Sequence, residues 1–125
     1  MIEFKDTDPP KIIQDWAKAI QLRDPDVMAS FYAEKAILIG TFSNPMELRK
    51  TEIREYFDEF LSDKNGIQCQ IMDNINQLTG NCLISSGVYL FSWDMDAVYA
   101  RYSFICRANG NDHYIINQHS SLLPY

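Results

Sequence analysis

No stretch of this sequence approaches the ~20 consecutive apolar residues of a membrane-crossing helix, which excludes a helical span. Positive charge is short as well: 11 Lys and Arg against 17 Asp and Glu leave a net charge of −6. A nucleic-acid partner needs a basic stripe to meet its phosphates, and an anionic membrane surface asks for the same, so neither is expected. Cysteine is sparse and odd in number: Cys69, Cys82 and Cys106 each fall inside a strand-like run. They read as buried reduced thiols, because a disulfide framework wants an even set and a nucleophile wants an adjacent base. The only two histidines, His113 and His119, have no cysteine pair nearby and give no zinc spacing. Asp94-Met95-Asp96 has too few oxygens for a calcium loop and reads as a solvated turn. No cofactor and no metal are therefore expected. The opening MIEFKDTDPP has neither the basic nor the apolar region of a signal peptide. With the free thiols, this gives the expectation of a cytoplasmic protein.

What is present suits one domain over residues 1–125. The 46% hydrophobic and 22% charged residues are ordinary for a globular chain, and there is no repeat, low-complexity tract or linker. Aromatics reach 13%, enough for a ring-rich core or a ring-lined cavity. Thr7 or Asp8 is expected to cap a first helix with Pro9 and Pro10 in its first turn. Its apolar stripe is Ile12, Ile13, Trp16, Ala19 and Ile20, with Ala17 at its margin. Asp24 then caps a short second helix whose first residue is Pro25 and whose inward side chains are Val27, Met28, Phe31 and Tyr32. Residues 36–41 (AILIGT) read as a buried strand, and 42–50, with Asn44-Pro45, as a loop or brief irregular strand. Thr51 is expected to cap a third helix with Ile53, Tyr56, Phe57, Phe60 and Leu61 as its stripe, ended by Gly66. Strands follow over 67–78, 82–93 and the final third, where Asn109-Gly110 is a hairpin signal. The order is α+β: three N-terminal helices packed on a curved, mostly antiparallel sheet.

The final third carries the functional reading. Strand alternation puts Tyr99, Arg101, Ser103 and Ile105, then Ile115, Asn117, His119 and Ser121, on one face. Buried, those polar groups would each need a partner, so this face is expected to floor a pocket beneath the helices. In 82–93 both faces are largely apolar: Cys82, Ile84, Val88 and Leu90 on one, Leu83, Tyr89, Phe91 and Trp93 on the other. A sheet with one solvated face alternates apolar and polar. Two apolar faces ask for helices on one side and a second subunit on the other.

Three stretches resemble the nuclear transport factor 2-like superfamily of cone-shaped, cystatin-like folds, which includes ketosteroid isomerases, SnoaL-like polyketide cyclases and scytalone dehydratase. They are DPDVMASFYAEKAILIGT (24–41), TEIREYFDEFL (51–61) and ARYSFICRANGNDHYIINQHSSLLP (100–124). The last is most similar to the association domain of calcium/calmodulin-dependent kinase II and its bacterial stand-alone relatives, through His119, Ser121 and Pro124. The resemblance implies a homodimer built sheet against sheet, each cone holding an open-ended pocket. It also implies that Gly40 stands where the isomerases carry their carboxylate base and Trp16 where they carry their phenol. Isomerisation by that mechanism is thus not expected. Aligned on the hairpin, Ser103 and Gly87 stand at the relatives' pocket arginines.

The candidate ligand-binding set is Arg101, Trp16, Tyr32, Tyr89, Ser103, Asn117 and His119, with Tyr56, Phe91 and Trp93 as further wall residues. His119 is the catalytic candidate, a general base oriented by Asn117 or Ser121. Alternatively it is a hydrogen-bonded histidine in the cone or the dimer seam. Arg101 either holds an anionic group of a small ligand or pairs with Glu34 or Glu47 at the rim. Three readings stay open: a homodimeric binder of a small organic molecule, a cofactor-free isomerase, cyclase or dehydratase, and a pure assembly module.

Overall fold

The structure, a computed structural model, describes residues 8–41 and 47–124. Helix α1 spans Lys11–Ala19. Pro10 precedes it with ψ 157 and no side chain caps it; instead the Pro10 carbonyl accepts from Ile13 N at 2.9 Å and Gln14 N at 3.0 Å. The two prolines thus lie outside the first turn; the ring of Pro10 disfavours helical backbone at Pro9. Asp8 is not the cap, and Thr7 falls outside the described residues. Ile13, Trp16, Ala17 and Ala19 form the buried stripe, continued by Ile20 in a 3-10 turn, Ile20–Leu22.

Asp24 caps α2 (Pro25–Ala29) as its sequence demands, its carboxylate accepting from Asp26 N at 2.9 Å and Val27 N at 3.4 Å. The first strand, β1 (Tyr32–Ile39), begins four residues before the expected start. Tyr32 is a strand residue paired with Ile115; long-range pairing, not local pattern, sets that boundary. A two-residue β2 (Glu47–Leu48) pairs antiparallel with β1 and leads straight into α3 (Arg49–Ser62), which starts two residues before Thr51. The Asn44-Pro45 turn lies outside the described residues. Ile53, Phe57, Phe60 and Leu61 bury the inner face of α3, with Tyr56 partly buried.

Four long strands follow: β3 (Gln68–Thr79), β4 (Cys82–Trp93), β5 (Asp96–Asn109) and β6 (Asp112–Leu122). The sheet order is β2-β1-β6-β5-β4-β3, with β1 parallel to β6 and every other pair antiparallel. The helices cover one face of this mixed six-stranded sheet, the α+β cone expected.

Arg23, which sequence patterning passed over, ties the layers together. It closes the 3-10 turn in a left-handed conformation, φ 53. Its guanidinium donates to Leu61 O at 3.0 Å, Ser62 O at 2.8 Å and Asn65 Oδ1 at 2.9 Å. A cation there satisfies orphan carbonyls at the negative end of α3.

Two irregularities shape the sheet. In β3 the register shifts between Ile71 and Asp73. Asp73 O there comes so close to Gly87 that a Cβ on Gly87 would meet it at 1.8 Å. In β6 the register shifts opposite Ile105 and Cys106, leaving Ile116 unpaired with β5. An extra residue reverses which alternate side chains face inward from that point on.

Candidate functional site

The inner face of β5 is Ala100, Tyr102, Phe104 and Cys106, all buried. On β6 it is Ile115 before the bulge, then Gln118 and Ser120 after it. With Tyr89 and Phe91 from β4 and Trp16 from α1, these side chains fill the cone. Trp16, Tyr32 and Tyr89 are each 1% exposed. The indole of Trp16 stacks on Tyr89 at 5.7 Å between centroids and 12° between planes, and meets Phe104 edge-on at 5.2 Å.

Polar atoms inside this aromatic mass are connected in series. Trp16 Nε1 donates to Tyr32 Oη at 3.0 Å, and the Tyr32 hydroxyl donates to Gln118 Oε1. Gln118 Nε2 donates to Tyr89 Oη at 3.4 Å, and Tyr89 donates to Ser120 Oγ at 2.5 Å. Ser120 Oγ in turn is hydrogen-bonded to Thr41 Oγ1. Burial pushes the Tyr32 and Tyr89 hydroxyls well above their ordinary 10.0, so both stay protonated donors at neutral pH. A second cluster sits lower in the cone, where Tyr102 donates to Asn74 Oδ1 at 2.6 Å and Ser85 Oγ donates to Asn76 Oδ1 at 2.8 Å.

Trp16, Thr41, Tyr56, Phe57, Phe60, Tyr89, Phe91, Gln118 and Ser120 enclose a small cavity. About 10 Å³ of it is open to the centre of a water molecule, room for one water. Seven of these nine side chains are buried; Thr41 and Tyr56 are partly exposed and form its mouth. Among the described residues, no carboxylate, histidine, lysine or arginine lines it.

Of the residues expected to line a pocket, Trp16, Tyr32 and Tyr89 meet in the cone, with Tyr56 and Phe91 in the cavity wall. Trp93 packs half-buried against the core, beside Lys64. Arg101, Ser103, Asn117 and His119 do not join them. Arg101 pairs with Val88 and Ser121, Ser103 with Ser86 and His119, and Asn117 with Ile105, all on the opposite, outer sheet face. The expected inward orientation of these four is therefore corrected. On β5 the apolar alternates claim the interior, and on β6 the bulge at Ile116 turns Asn117, His119 and Ser121 outward. A general base at His119 beneath the helices is not the arrangement found. Arg101 Nη2 donates to Ser121 Oγ at 3.3 Å and forms no ion pair among the described residues. Gln118, Ser120 and Thr41 were missed. The signal available was the wholly apolar Ala100, Tyr102, Phe104, Cys106 series, which marks the inner face by itself.

Gly40, at the carboxylate position of the isomerases, lies against Tyr56: a Cβ built there would be 2.3 Å from the ring. The place of a side chain at 40 is filled by that phenol. The profile of the SnoaL-like domain matches residues 11–125.

The chain belongs to the SnoaL-like domain family.

Solved structures similar to this SnoaL-like domain extend the likeness. A proposed calcium/calmodulin dependent protein kinase II association domain from Xanthomonas campestris is 25% identical, with TM-score 0.84 and 99% of each chain covered. A proposed dehydratase of the nuclear transport factor 2-like family from Streptomyces avermitilis is 11% identical, with TM-score 0.75, covering 91% of this chain and 93% of that one. An uncharacterized cystatin-like protein from Caulobacter vibrioides is 10% identical, with TM-score 0.77, covering 90% and 85%. A search of curated proteins finds no match. Family and buried aromatic cluster together are consistent with ligand binding or isomerase-type chemistry. No helix among the described residues is long and apolar enough to cross a membrane.

Proposed function

We propose that this SnoaL-like domain is a homodimer that binds a small organic molecule in the cone, between α3 and the inner sheet face. The observation that carries the reading is the series of buried hydrogen-bonding groups, Trp16 to Thr41, threaded through a cavity otherwise walled by rings. Ligand sites are commonly apolar hollows with a few convergent polar groups. The ligand enters at the partly exposed mouth, by displacement of the Tyr56 ring. Arg101, Ser103, Asn117 and His119 belong to the subunit seam in this reading. The outer face also carries Ile84, Val88, Leu90, Ile75 and Tyr99, the last two 43% and 40% exposed. Apolar area of that kind on a soluble chain supports a second copy lying against it.

The test is a thermal-shift and tryptophan-fluorescence screen of small aromatic and alicyclic compounds. Hits are expected to disappear in a folded Ser120→Leu variant, which fills the cavity, and to persist in Arg101→Ala and His119→Ala. Loss of binding in the latter two with retention in Ser120→Leu would move the site to the outer face.

A second reading is favoured by the narrowness of the cavity and by the likeness to the Xanthomonas campestris association domain. In it the cone is a filled core and the domain is an assembly module. It predicts no hits in the screen, with oligomerisation intact.

A further inference from the structure

Asp73 and Arg101 share the outer sheet face and are not paired with each other. Asp73 on β3 stands opposite Val88 on β4, and Val88 stands opposite Arg101 on β5, so the three form one row across the sheet. Asp73 Oδ1 is shut off from water and has no hydrogen-bond partner among the described residues. A carboxylate oxygen in that state costs free energy until a donor reaches it. Arg101 is exposed, turns away to Ser121 Oγ at 3.3 Å, and forms no ion pair among the described residues. One face of one chain thus carries both halves of an ion pair, with Val88 between them. Charge is scarce around them: Asp73 is the one charged residue of β3, and β4 has none.

We infer that Arg101 of each subunit meets Asp73 of the partner subunit, and that these two reciprocal ion pairs set the register of the dimer seam; this rests on the homodimer proposed above. In an isologous contact, what residue i does to j, j does to i. A face that carries an unpaired acid and an unpaired base is therefore complementary to a second copy of itself. The two residues lie two strands apart, roughly 10 Å at the usual strand spacing. For one to land on the other, the two-fold axis must run midway between them, along β4, in the plane where the sheets meet. Residues on that axis meet their own copies, and a charge there would face its like. The outer residues of β4 in this region, Ile84, Ser86, Val88 and Leu90, are all uncharged. The acid lies on one side of this neutral strand and the base on the other, as a two-fold contact requires. The apolar side chains along the axis shield the two pairs from water, where cross-subunit charge contacts discriminate most between right and wrong registers.

The experiment uses the full chain as two charge-reversed variants, Asp73→Arg and Arg101→Asp, each checked for folding by circular dichroism. Association is followed by sedimentation velocity, alone and mixed, with one variant isotope-labelled so that native mass spectrometry tells homodimer from heterodimer. Each variant alone brings like charges together twice, and should dimerise at least about a hundredfold more weakly than wild type. In the mixture every cross-subunit contact is again between opposite charges. A one-to-one heterodimer of about wild-type affinity is therefore expected, in preference to either homodimer. Neutral variants serve if a reversed charge disturbs the bulge at Asp73. Asp73→Asn and Arg101→Gln should each weaken the dimer on the order of tenfold, and the double variant should cost little more than either one. A mixture that stays monomeric would overturn the inference, and dimerisation of a chain carrying both reversals would then place the pair within one subunit. Reversed variants that dimerise like wild type, or neutral variants whose costs add, would overturn the pairing and leave the seam standing. A wild-type chain that is monomeric at tens of micromolar would remove the seam itself, and this inference with it.

Discussion

The ring of Tyr56 occupies the volume that a side chain on Gly40 would need, with the phenol oxygen 2.6 Å from the ideal Cβ position. One position on β1's end and one on α3 are thus complementary: the absence of a side chain at 40 is what lets α3 seat its tyrosine over the cone. Gly40→Ala is expected to cost ~1–3 kcal/mol by overpacking. In a Tyr56→Ala background the same change should cost little, because the clash is gone. Denaturant unfolding of the four members of this cycle checks it, and additive costs would show that the two residues do not compete for space.

Arg23 holds the end of α3 through three hydrogen bonds, two of them to backbone carbonyls of its last turn. Arg23→Ala should lower stability by ~1–2 kcal/mol, less than three buried charge-assisted bonds because two of the three are exposed. Arg23→Lys should recover only part of this, since an ammonium cannot span the fork that the guanidinium reaches. Urea midpoints for the two variants decide the matter, and a Lys variant as stable as wild type would show that charge alone suffices.

High pH should unfold the protein through its buried acids. Burial holds Tyr32, Tyr89 and Tyr102 protonated past the ordinary 10.0 and pushes the Cys106 thiol from 9.0 up to about 12. Each of these groups keeps its proton in the folded chain after losing it in the unfolded one. Their stabilising contribution is complete below the unfolded values and is lost as pH rises through 9.0 and 10.0 toward the folded ones. Unfolding free energy measured from pH 7 to pH 11 should fall most steeply at the top of that range. Tyr89→Phe should be less stable at pH 7 yet lose stability more gently above pH 10; an unchanged slope would show that Tyr89 does not contribute.

The outer sheet face is expected to be the seam of a dimer. Ile84→Asp or Val88→Asp should shift the protein to monomer in sedimentation equilibrium, while Leu78→Asp, an 81% exposed residue at the β3–β4 turn, should not. A wild-type protein that is monomeric at tens of micromolar would contradict the seam.

Much of the fold was legible from local chemistry. Asp24-Pro25 specified its helix start, the stripe through Ile13, Trp16 and Ile20 specified the helix face, and Asn109-Gly110 specified the hairpin. Those signals act over a few residues and need no partner. Boundaries set by distant pairing were not legible: Tyr32 joins β1 because Ile115 lies opposite it. The candidate site suffered most from one such feature. Nothing local in HYIINQHSS announces the register shift at Ile116, yet it exchanges His119 for Gln118 and Ser120 in the interior. For Arg101 the signal was present and was outweighed by the chemical appeal of a guanidinium in a pocket. Tyr102, Phe104 and Cys106 on the other alternate face had the stronger claim to burial.

The most direct test is a crystal structure of the protein soaked with 2-acetonaphthone. The account predicts the ring system between α3 and the inner sheet face, with Tyr56 rotated away from Gly40. A ligand found instead on the outer face against Arg101 and His119, with the cone unchanged, would contradict it.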